Sequence, residues 1–78
     1  MKKRGYYLYV LRDGCEIVYY GITHNRDRSV LEQEHSDKNW TNYSIVKGPL
    51  LREHANNAIK SVIDFYQNLH GELPRYNV

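Results

Sequence analysis

Apolar positions along the chain change period as it proceeds, and each change marks an element. Residues 6–11 read Tyr-Tyr-Leu-Tyr-Val-Leu and residues 17–22 read Ile-Val-Tyr-Tyr-Gly-Ile, both rich in strand-favouring side chains. Between them Arg12, Asp13, Gly14 and Cys15 form a turn signal, because Gly14 can take the positive φ that a tight hairpin requires. The two runs therefore predict a β-hairpin. Both of its alternating sets are apolar: Tyr7, Tyr9, Leu11, Ile17 and Tyr19 form one, and Tyr6, Leu8, Val10, Val18, Tyr20 and Ile22 the other. A sheet apolar on both faces needs cover on both, so helices are expected to flank it.

From Asn25 the pattern turns helical. Asn25 or Asp27 can cap a helix whose body runs over residues 28–35. Residues 37–42 are polar and break it, residues 42–46 read as a third strand, and Gly48-Pro49 is expected to end that strand. Over residues 50–69, Leu51, Ala55, Ala58, Ile59, Val62, Tyr66 and Leu69 recur at spacings of three and four, the stripe of an amphipathic helix. Asn56-Asn57 could bend it and Gly71 ends it, after which residues 74–78 are expected to run out as an extended tail. The order predicts an α+β fold, a small three-stranded, mostly antiparallel sheet flanked by helices. One domain over residues 1–78 is expected from the length.

Composition alters this picture in one respect. There are eight tyrosines and one phenylalanine, and tyrosine packs a ring while keeping its hydroxyl on something polar. A half-wet surface or a site is the functional reading, and filling of a small core is the structural one. The net charge of +2 does not by itself indicate a nucleic-acid binder. Lys2, Lys3 and Arg4, and then Arg26 and Arg28, form clusters that could neutralise phosphates or remain solvated. Cys15 is the single cysteine, which excludes a disulfide framework and a thiolate zinc cluster. No apolar run approaches a membrane span, and a cytoplasmic setting without membrane partners is the expectation.

The chemistry-bearing motifs lie on the hairpin and at the chain end. Gly5-Tyr6-Tyr7 opens the first strand and Tyr19-Tyr20-Gly21 lies on the second, followed by Ile22-Thr23, Asn25 and Asp27-Arg28, with Pro74-Arg75-Tyr76-Asn77-Val78 at the end. This arrangement resembles the GIY-YIG nuclease superfamily, which includes homing endonucleases and the incision subunit of nucleotide-excision repair. The similarity spans nearly the whole chain in the family's order. It implies one-metal hydrolysis of phosphodiester bonds in nucleic acid, DNA ahead of RNA, with Mg²⁺ or Mn²⁺ polarising the phosphate. In that scheme Tyr7 positions and deprotonates the attacking water, Tyr19 supports it, and Arg28 stabilises the pentacovalent phosphate. A histidine beyond the arginine, here His35, joins them. Gly21 and Arg26 would contact substrate, and Asn77 would order the site from the tail.

Geometry sets conditions on that scheme. A three-residue loop over 13–15 would place Tyr9 opposite Tyr19 and Tyr7 diagonal to Tyr19 on one face, whereas a two-residue turn would separate Tyr7 from Tyr19. Tyr7 and Tyr19 could equally be core tyrosines, Arg28 could pair with Glu32 four residues on, and His35 could be a helix-end histidine. His35 follows Arg28 by seven residues, two turns along the same helix face. The later helix carries Glu53 and Asp64 on its outward face with Lys60, and its inward stripe lacks a carboxylate. Glu53 is the metal candidate, reached through a bend at Asn56-Asn57. The alternative function is a catalytically inactive module that keeps the fold and binds nucleic acid, a nucleotide or a partner protein, with a homodimer through the tyrosine-rich face left open.

Overall fold

The two apolar runs pair as the antiparallel strands β1 (Tyr6–Asp13) and β2 (Glu16–Thr23) in the computed structural model, which describes residues 5–25 and 27–77. Gly14, at φ 65°, and Cys15 close the hairpin as a two-residue turn, so the three-residue loop expected over 13–15 does not form. That turn alone would split Tyr7 from Tyr19. The register then shifts: Arg12 faces Ile17 while Leu11 faces Tyr19, which leaves Val18 as a bulge. One extra residue restores the parity. Tyr9 faces Gly21 and Tyr7 faces Thr23, so Tyr7, Tyr9, Leu11, Tyr19 and Gly21 share a face.

Strand β3 (Asn42–Leu50) pairs antiparallel on the other side of β1, giving the order β2-β1-β3 in an α+β fold. It runs through Gly48-Pro49, where the sequence expects it to stop. An edge strand tolerates the missing proline N–H, and Gly48 at φ 141° lies where side chains do not fit. A Cβ there would come within 2.6 Å of the Tyr7 ring and 2.9 Å of the Tyr6 carbonyl oxygen. Register shifts on either side of Leu8 absorb the irregularity.

Helix α1 (Arg28–Glu34) begins at Asp27, whose carboxylate accepts from the Ser29 N–H and hydroxyl, while Asn25 Oδ1 accepts from the Asp27 N–H. It is anchored by Leu31, fully buried with Tyr9, Leu11 and Val18, and Tyr19, Trp40, Tyr43, Ile45 and Tyr76 pack around that cluster. Full burial of a leucine of this kind contributes about 1.5–3 kcal/mol. Helix α2 (Arg52–His70) crosses the opposite face, where Tyr66 meets the Tyr20 ring at 6.3 Å and its hydroxyl donates to the Ile17 carbonyl at 3.4 Å. The helix runs unbroken through Asn56-Asn57, and Gly71 caps it at φ 77°. Ala55 is its buried contact. Leu69, expected in the inward stripe, is exposed one turn beyond exposed Phe65.

The tail is not extended. It turns through Arg75 and Tyr76 and folds onto the free edge of β2, where the Tyr76 N–H donates to the carbonyl of bulged Val18. Among the described residues no helix is long and apolar enough to cross a membrane.

Candidate functional site

The shared face of the hairpin places Tyr9 and Tyr19 diagonally across the strands. Gly21 stands opposite Tyr9, and a Cβ there would meet the Tyr9 hydroxyl at 2.5 Å and the Tyr19 ring at 2.7 Å. The bare backbone at Gly21 is what allows both rings to lie over β2. Their centroids are 6.1 Å apart. His35 completes the cluster from the end of α1: its Nε2 lies 2.6 Å from the Tyr9 hydroxyl, and its ring centroid is 5.0 Å from that of Tyr19.

His35 reaches this position because it stands just past the helix. As C-cap residue it has φ −118° and ψ 29°, so its side chain leaves the helical progression and turns toward the sheet. His35 is consequently buried while Arg28 is exposed, and the two do not share a helix face as the seven-residue spacing implies. Two backbone bonds and one from a side chain hold the turn: the His35 N–H donates to the Leu31 carbonyl, and the His35 carbonyl accepts from the Lys38 N–H and from Trp40 Nε1.

Electrostatics keep Tyr9 and His35 neutral. Burial pushes the Tyr9 phenol well above the ordinary tyrosine range, and Tyr19, Glu34 and a hydrogen bond to Tyr19 add to that. Burial and the neighbouring Lys38 charge lower the His35 pKa, against smaller opposing effects of Glu34 and Asp37. His35 Nδ1 is buried with no hydrogen-bond partner among the described residues. A buried N–H without an acceptor is rarer than a bare acceptor. The favoured tautomer therefore carries its proton on Nε2, which donates to the Tyr9 hydroxyl.

Cations border the same face. Lys38 Nζ lies 5.5 Å from the Tyr19 ring centre and 5.8 Å from that of Tyr76. The Arg28 guanidinium lies 5.6 Å from Trp40 and 5.8 Å from Tyr43, and its Nε donates to Glu32 at 2.8 Å. Leu11 is paired with Tyr19 on one side and Tyr43 on the other, so those rings stand two strand spacings, about 10 Å, apart.

The other expected site residues fall elsewhere. Tyr7 lies on the same face but farther along, opposite Thr23 and against Gly48, four residues from the register of Tyr19. Asn77 lies at the edge of β2, where its Oδ1 accepts from the Tyr20 N–H at 2.8 Å and its Nδ2 donates to the Tyr20 carbonyl at 3.0 Å. It acts as a short substitute strand behind the tyrosine pair. Arg26 lies outside the described residues, as do Lys2, Lys3 and Arg4. Glu53 is exposed in the first turn of α2, two residues from buried Ala55 and so turned away from the sheet. Its helix covers the face opposite the tyrosine cluster, and no group of three metal-ligating side chains assembles among the described residues. The donor set at the cluster does not fit a Mg²⁺ or Mn²⁺ site.

Tyr9, Lys38, Trp40 and Tyr43 are the residues that sequence reasoning missed. The alternating tyrosines carried a signal for Tyr9. No family model matches the chain, and neither the curated proteins nor the solved structures give a match.

Proposed function

We propose that this chain is a small GIY-YIG-type endonuclease acting on phosphodiester bonds of nucleic acid, with DNA ahead of RNA. The observation that carries the reading is the Tyr9–Tyr19–His35 chain, bordered by Arg28 and Lys38 on one sheet face. Tyr19 presents a phenol O–H to a phosphate oxygen or to the departing oxygen. A water attacks the phosphorus as the bond to the departing oxygen breaks. Tyr19 gives its proton to that oxygen and regains one released by the attacking water, while the buried, neutral Tyr9–His35 pair holds its ring in place. Lys38 and Arg28 stabilise the anion that develops. Tyr9, in register with Gly21, takes the inner position that the motif resemblance assigns to Tyr7.

A second reading has its own observation. With Glu53 turned away on α2, the chain would bind phosphodiesters without cutting them efficiently.

Nicking of supercoiled plasmid in Mn²⁺, Mg²⁺ or EDTA separates the two. The nuclease reading expects nicking that falls about 10²-fold or more in Tyr19→Phe and about tenfold or more in Arg28→Ala. Salt-sensitive plasmid binding without nicking in any metal would overturn it in favour of the binding module. Absence of both would overturn each reading.

A further inference from the structure

Trp40 and Tyr43 stand at 88° to each other with centroids 6.4 Å apart, and both are half-buried against the core. Trp40 is held through its Nε1 bond to the His35 carbonyl, so this ring is tied to the turn that carries the buried histidine. Arg28 lies over both rings, and its side chain and that of Glu32 are each 53% exposed. An exposed pair at i and i+4 is worth little in water, so a phosphate can replace Glu32 at small cost. Lys38, its side chain 18% exposed, lies near the Tyr19 and Tyr76 rings with exposed Asp37 as its ion-pair partner.

Cations and half-exposed rings therefore alternate across one face. Duplex DNA offers phosphates to such a surface but keeps its base faces stacked inside the helix. An unpaired strand offers both, and bases stack readily on aromatic rings and on guanidinium planes. We propose that Trp40, Tyr43 and Arg28 form a stacking subsite for an unpaired base, which makes single-stranded nucleic acid the preferred ligand of this face. The inference rests on the phosphodiester reading above and names the substrate class for it. Lys38 holds the adjoining phosphate, and the base on Trp40 fixes which phosphate meets Tyr19.

Trp40 is the chain's only tryptophan, so its fluorescence reports on this subsite alone. The test titrates the full chain with oligo(dT) of roughly 12 nucleotides and with a blunt duplex of equal length, at about 50 mM salt. Anisotropy of labelled nucleic acid is read alongside Trp40 emission. Expected is Trp40 quenching that tracks oligo(dT) binding, duplex binding about tenfold weaker, and about tenfold loss of oligo(dT) affinity in Tyr43→Leu with an unchanged circular dichroism spectrum. Binding that leaves Trp40 emission unchanged, or equal affinity for the duplex, overturns the stacking subsite and leaves the phosphodiester reading standing. No binding of either nucleic acid overturns both.

Discussion

At His35 a neutral imidazole is buried between a phenol and a lysine, and its depressed pKa makes the fold sensitive to acid. The unfolded chain protonates this histidine near its ordinary value of about 6.5, the folded chain only below that. Between those two values the unfolded state binds more protons, so stability rises with pH across the window and falls on acidification. Thermal melts at pH 7.5 and 5.5 should show a larger acid-induced drop for the wild type than for His35→Gln, and equal drops would contradict the assignment. Tyr9→Phe should cost about 1–3 kcal/mol in urea unfolding, because it removes the hydroxyl bonded to Nε2 and leaves that nitrogen, like Nδ1, without a partner among the described residues. Which tyrosine occupied this place was not legible in sequence. Tyr7 and Tyr9 alternate onto the same face, and only the register, shifted by the Val18 bulge, sets Tyr9 beside Tyr19.

Among the elements, β1, β2, α1 and α2 follow from periodicity, capping and Gly71, since those signals are local. What was not legible depends on partners distant in sequence. The strand β3 continues through Gly48-Pro49 because β1 lies alongside, and the tail turns back because β2 leaves an open edge and a bulged carbonyl. Asn77→Ala should destabilise the chain by about 1–3 kcal/mol, since it removes two bonds to the Tyr20 backbone. Faster amide exchange at Tyr20 is the matching local signature, and unchanged protection there would argue against the strand-like role. Gly21→Ala forces a Cβ into the Tyr9 hydroxyl, and should cost about 1–3 kcal/mol while displacing Tyr9 from His35. Aromatic shifts of Tyr9 and His35 in NMR spectra would register that displacement.

At the scale of the molecule, the sheet separates two kinds of chemistry. The Tyr9–Tyr19–His35 cluster with Arg28 and Lys38 lies on the α1 face, while Glu53 lies on the helix that covers the other. The motifs at both ends of the chain converge on β2, with Tyr19 and Gly21 on the strand and Asn77 bonded along its edge. This convergence is the part of the candidate site most legible from sequence order. The cations over Trp40 and Tyr43 were not legible, because Arg28 and β3 are joined only by folding. The central claim is that Tyr9 and Tyr19, rather than Tyr7 and Tyr19, act together on a phosphodiester. The direct measurement is the nicking rate of plasmid by Tyr7→Phe, Tyr9→Phe and Tyr19→Phe at equal folded concentration. Loss of about 10²-fold in Tyr9→Phe and Tyr19→Phe, with Tyr7→Phe within a fewfold of wild type, is predicted. Loss confined to Tyr7→Phe and Tyr19→Phe, or no nicking by the wild type, would contradict it.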